Sequence, residues 1–94
     1  MPSKEFNSLG EFLKYERKKR NMTQEKFAEL LETSATNYKM LELNRQPCGV
    51  VSLQRFGEIL KVSQRRLRSF DDKTREMLER KKEHDKWKIS FLNT

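Results

Sequence analysis

The sequence predicts an all-α fold: five short helices, then a charged C-terminal helical extension ending in a short extended tail. Three observations carry this expectation. Apolar residues recur three and four apart from Phe6 to Phe70, which is helical spacing. Serines and threonines precede most of those stretches, where they can cap a helix start. No credible strand alternation occurs before residue 86.

Ser8-Leu9-Gly10-Glu11 fits a capping box, and Leu9, Phe12 and Leu13 follow on one helical face. Lys18-Lys19-Arg20 suits the C-terminus of that helix, and Asn21 suits a left-handed stop. Thr23 caps a second helix, with Glu25 in its first turn and Phe27, Ala28, Leu30 and Leu31 as its apolar residues. Thr33 or Ser34 caps a third helix with Tyr38 and Leu41 facing inward. Asn44 to Gly49, with Pro47, is a loop by composition. Ser52 is expected to cap a fourth helix bearing Leu53, Phe56, Ile59 and Leu60, and Ser63 a fifth bearing Leu67 and Phe70.

The chain has 94 residues, of which 34% are apolar and 37% charged, enough for one core and not two. We therefore expect a domain over residues 1–70 and an extension over 71–94. In that extension Trp87, Ile89 and Phe91 alternate with Lys86, Lys88 and Ser90, which is strand periodicity. A helix running through would instead stack Met77, His84 and Phe91 at intervals of seven. The expectation adopted is helix to about Asp85, then extended chain.

Net charge is +7. Residues 1–20 carry six basic and three acidic groups, residues 21–60 four and five, and residues 61–94 eleven and six. A basic excess implies an acidic partner, nucleic acid or an anionic membrane surface, although many soluble helical surfaces are also this basic. The lone Cys48 excludes an internal disulfide and fits a reducing cytoplasm. No apolar run is long enough for a signal peptide or a membrane span. His84 is the single histidine and lies in a charged stretch far from Cys48, so it is read as a solvated surface group. GxGxxG, Walker and CxxC patterns do not occur. No enzyme, metal or cofactor is expected.

Two short helices joined by a tight turn, with a small residue inside the first, form the recipe of a helix-turn-helix. Ala28 sits where the two helices must approach most closely, with Phe27, Leu31, Tyr38 and Leu41 packed around it. Between those inward positions the third helix offers Ser34, Ala35, Thr36, Asn37 and Lys39, small and polar enough to enter a groove and meet base edges.

Over residues 8–70 the chain resembles the Xre or lambda-repressor-like (Cro/CI) family of five-helix regulators. The pieces are Arg17, Met22-Thr23-Gln24-Glu25-Lys26-Phe27-Ala28, Ser34 through Glu42, Pro47, and Ser52-Leu53-Gln54-Arg55-Phe56 leading to Leu60-Lys61-Val62-Ser63. The resemblance implies double-stranded DNA as partner. Thr23 and Gln24 would open the second helix at a phosphate, with Gln24 bracing the recognition helix. Ala35, Thr36 and Met40 would face bases, and Asn44 and Arg45 would grip the DNA backbone. Arg17 and Glu42 match an ion pair tying the first helix to the third.

The pattern departs from the family in several places. Glu32 stands at the turn position usually held by glycine, where a left-handed conformation costs about 1 kcal/mol. Asn44 replaces another common glycine, and Tyr38 a smaller branched residue. Ala35 and Met40 lack bidentate donors, so readout would rest on thymine methyl contacts, Thr36, Asn37, Lys39 and DNA shape. The resemblance also implies a transcriptional regulator, a repressor working as a homodimer on a palindromic operator of the phage, plasmid or mobile-element kind. Leu67 and Phe70 on the fifth helix, or Trp87, Ile89, Phe91 and Leu92 in the extension, are the candidate dimer or partner surface. The competing reading is an antitoxin or adaptor that keeps the fold and binds another protein through those terminal apolar groups.

Overall fold

The computed structural model describes residues 5–92, and side chains over residues 5–82. Among the described residues there are five helices: α1 (Leu9–Lys19), α2 (Gln24–Leu30), α3 (Ala35–Glu42), α4 (Val50–Leu60) and α5 (Gln64–Leu92). Contacts run between α1 and α3, α1 and α5, α2 and α3, and α4 and α5.

Side-chain caps start four of them. Ser8 Oγ accepts the Glu11 N–H, Thr23 Oγ1 that of Lys26, Ser34 Oγ that of Asn37 and Ser63 Oγ that of Arg66. The fourth helix differs from expectation. It begins at Val50 behind Gly49, which has no side chain to cap with, and Ser52 lies inside its first turn.

The first four helices end in the same way. Asn21, Glu32, Asn44 and Lys61 have φ of 53°, 59°, 57° and 57°. The residue after each donates its N–H five residues back, Met22 to Arg17, Thr33 to Ala28, Arg45 to Met40 and Val62 to Gly57. This left-handed closure satisfies orphan carbonyls and is usually built on glycine. Here no glycine occupies it.

Gly10 and Gly57 serve close approach instead. A Cβ on Gly10 would lie 2.4 Å from the Glu42 carbonyl oxygen and 2.7 Å from that of Leu41. The start of α1 thus sits directly on the end of α3. A Cβ on Gly57 would meet the Val62 carbonyl at 2.9 Å, inside the turn between α4 and α5.

The core joins every helix. Phe27 and Tyr38 meet edge-on at 5.4 Å between α2 and α3. Phe70 stacks on Phe12 at 5.2 Å and meets Phe6 edge-on at 5.6 Å. Leu67 is 0% exposed and Phe70 2%. Both were candidate dimer contacts, and that assignment is corrected: their spacing of three turns one face of α5 onto α1 and α4, so they are spent on the chain's own interior.

The expected extended tail is also corrected, since α5 continues as one helix to Leu92. No glycine or proline follows Gly57, and the run after Thr74 is rich in Arg, Glu, Met, Leu and Lys, all strong helix formers. A three-step alternation offers a strand nothing to pair with, because no strand exists among the described residues. The side chains of Trp87, Ile89, Phe91 and Leu92 lie outside the described residues.

Gly10→Ala is expected to destabilise the domain by about 1–3 kcal/mol or more, because the clash is with backbone that cannot rotate aside. Thermal denaturation monitored by circular dichroism checks this. An unchanged midpoint would mean that α1 and α3 do not approach so closely.

Candidate nucleic-acid interface

The turn between α2 and α3 is fixed from several sides. Ala28, 1% exposed, lets the two helices close, and Glu32 supplies the left-handed step. Arg55 on α4 donates from Nε to the Leu31 carbonyl at 3.3 Å, closing the end of α2 from outside the motif. Arg55 lies in the Ser52–Phe56 piece of the resemblance, but no local pattern shows a contact that spans 24 residues.

Arg17 and Glu42 hold the motif to α1. Arg17 Nε and Nη2 each donate to one Glu42 carboxylate oxygen at 3.0 Å, and Nη1 donates to the Met22 carbonyl at 3.0 Å. The two side chains are 14% and 5% exposed. Bidentate geometry of this kind is among the stronger charge-assisted contacts. Burial pushes the Glu42 carboxyl up. The hydrogen bonds and the charge of Arg17, with Gln24 as a further donor, outweigh it and hold the group below its ordinary value of 4.5. Burial likewise raises the Tyr38 phenol, and the hydroxyl sits by this pair without a well-formed hydrogen bond of its own.

Gln24 joins the same network, its Nε2 donating to Glu42 Oε1 at 3.3 Å. Thr23 is exposed beside it, and its Oγ1 caps α2. On α3, Ser34 and Thr36 are exposed, while Ala35, Asn37, Lys39 and Met40 are half-buried. Asn37 is bound at both ends of its amide, donating to Thr33 Oγ1 at 2.8 Å and accepting from Gln46 Nε2. Lys39 Nζ lies 3.1 Å from Glu25 Oε1, an exposed pair bridging α3 to α2. That pair, with a backbone hydrogen bond to Glu25 as the larger cause, holds the Glu25 carboxyl below its ordinary value.

In the loop after α3, Asn44 turns its Oδ1 inward, accepting from the Gly10 N–H at 3.0 Å and from Thr74 Oγ1 at 3.2 Å. Arg45 is exposed, and its side chain forms no hydrogen bond or ion pair among the described residues. The structure therefore brings Thr23, Gln24, Ser34, Thr36, Lys39 and Arg45 to α2, α3 and the loop that follows. It ties Asn37 and Asn44 to neighbours. The single acid on α3, Glu42, is buried and matched by Arg17, so the helix presents no exposed carboxylate of its own.

Residues 10–50 match the family model described as a helix-turn-helix domain. That segment is a helix-turn-helix domain, consistent with the Xre and Cro/CI resemblance, and the fold is all-α. No curated protein and no solved structure matches the chain. Among the described residues no helix is long and apolar enough to cross a membrane, and no group of three or more potential metal ligands occurs.

Removing one partner of a buried pair strands the other charge, so Glu42→Ala is expected to cost about 3–5 kcal/mol of stability. The depressed carboxyl contributes stability that is complete above the ordinary value near 4.5 and is lost as pH falls through the lower folded value. Wild-type unfolding should thus ease below about pH 4.5, and Glu42→Ala should lose part of that acid sensitivity. Urea titrations between neutral and acid pH test both. A variant as stable and as acid-sensitive as wild type would mean that the pair contributes nothing.

Proposed function

We propose that the protein is a sequence-specific double-stranded DNA-binding transcriptional regulator, a repressor acting as a dimer on a palindromic operator. The observation that carries the reading is the outward side of α3. It begins at a capped N-terminus, bears Ser34, Thr36 and Lys39, and hides its only acid in an internal ion pair. A helix end with aligned N–H groups and no exposed carboxylate can approach a phosphate-lined groove without like-charge repulsion.

Roles follow from placement. Thr36, exposed and unpaired, meets base edges from the first turn of α3, with Ala35 and Met40 supplying apolar contact to thymine methyl groups. Gln24 and Thr23 meet a phosphate at the start of α2. Because the Asn44 oxygen is engaged inward, the grip of the following loop falls to Arg45.

A single recognition helix covers a half-site, and a symmetric pair spaced about one DNA turn, roughly 34 Å, gains affinity and specificity together. With Leu67 and Phe70 inside the core, the dimer surface falls to α5 from Met77 onward, Met77 being exposed and Trp87, Ile89, Phe91 and Leu92 following it. An isologous contact needs one such patch used twice.

Affinity for duplex DNA should fall with salt at a log–log slope of about −4 to −5 per half-site, the value for four to six phosphate contacts. Fluorescence anisotropy over a salt series measures it, and a flat response would remove the electrostatic basis of the proposal.

Thr36→Ala should narrow the ratio of operator to random-duplex affinity, a base contact being worth about 1–3 kcal/mol. Arg45→Ala should weaken both duplexes equally. A full ratio in the Thr36→Ala protein would show that this residue reads no base.

A further inference from the structure

The loop between α3 and α4, residues 43–49, is clamped at both ends by the third and fourth turns of α5. At its start, Thr74, 1% exposed, accepts the Leu9 N–H at 2.9 Å and donates to Asn44 Oδ1 at 3.2 Å. Asn44 Oδ1 also takes the Gly10 N–H, so the loop, the head of α1 and α5 share one polar knot. At its far end, the Cys48 N–H donates to Asp71 Oδ1 at 2.9 Å, and Arg75 Nη2 donates to the Cys48 carbonyl at 3.1 Å. Arg75 Nε closes the ring on Asp71 Oδ2 at 2.8 Å. Pro47 removes the neighbouring donor, so the Cys48 amide is the last N–H by which the chain can be fixed before Gly49.

The α5 side of these contacts falls in the stretch that composition assigned to a charged extension. Asp71 is 4% exposed, and a carboxylate buried to that degree is held there by its partners. Cys48, buried in the same place with its thiol pushed up to about 12 by burial and by Asp71, has no part in the chemistry and packs as a small apolar group. Between the two clamps stand Arg45, Gln46 and Pro47, and Gln46 is tied to Asn37 on α3. Of the loop's exposed residues, Leu43, Arg45, Pro47 and Gly49, Arg45 alone is charged.

We propose that Asp71, Thr74 and Arg75 are positioning residues that hold Arg45 against the DNA backbone, making α5 part of the DNA-binding apparatus. The inference rests on the DNA-binding reading above and deepens it. Three groups of one seven-residue loop make four hydrogen bonds to α5 and to the head of α1, so a tilt of α5 moves the loop. Whatever engages the C-terminal half of that helix, a second copy of the chain first of all, then acts on DNA affinity through these contacts.

Arg75→Ala is the direct test, because its side chain is half exposed and forms no part of the apolar core. Thr74→Val, matched in shape, removes the other clamp. Affinity for one duplex at fixed salt, well below each melting midpoint, should fall about five-fold in each variant, within the range by which contacting residues couple. In an Arg45→Ala background the same substitutions should have no further effect, since there is no arginine left to position. Unchanged affinity in both variants, or an equal loss with and without Arg45, would overturn the inference while the DNA-binding reading stood. A wild type with no affinity for duplex DNA would overturn both.

Discussion

The Arg17–Glu42 fork is the contact on which the rest of the structure depends. It joins α1 to the end of α3, and the third guanidinium donor reaches Met22, where the chain leaves α1 for α2. One side chain therefore fixes three elements of the motif at once. Taking two charges out of water is costly, and the cost is recovered only because the geometry is bidentate and the remaining lone pairs are used. Gln24 uses one of them. The same pairing neutralises the only acid on α3, so a stability element also sets the electrostatics of that helix's outward face.

Around that fork the packing is unusually dependent on backbone approach. Gly10 lets the head of α1 rest on the carbonyls that end α3, and Asn44 then reaches back to the Gly10 amide. The left-handed residue that ends α3 is thereby also the one that ties it to α1. Ala28 plays the corresponding part between α2 and α3, where a small side chain lets Phe27 meet Tyr38 edge-on. Small residues at the crossings and large ones between them make the orientation of α3 a rigid property of the core.

Much of this was legible in the sequence because it is local. Ser8, Thr23, Ser34 and Ser63 cap their helices by contacts within three residues, and Asn21, Glu32 and Asn44 take the left-handed steps their positions implied. What was not legible depends on partners distant in the chain. Gly10 stood inside a capping box, Arg55 inside a motif of the family resemblance, and Asp71, Thr74 and Arg75 at the head of a charged extension. Each acquires its role from a group more than twenty residues away. Leu67 and Phe70 were visible as an apolar face, but spacing cannot say whether such a face meets its own core or a second chain. The alternation at residues 86–91 misled for a different reason. Period two over six residues is a weak signal, and strong helix formers upstream with no partner strand decide against it.

The central claim is that α3 enters the groove of DNA while α5 holds the adjoining loop in place. Backbone amide chemical shifts of the protein, followed as a duplex selected from a random pool is added, test it most directly. The account predicts the largest changes at residues 34–40, with further changes at residues 23–26 and at Asn44 and Arg45. Changes confined to the C-terminal half of α5, with α3 undisturbed, would contradict it.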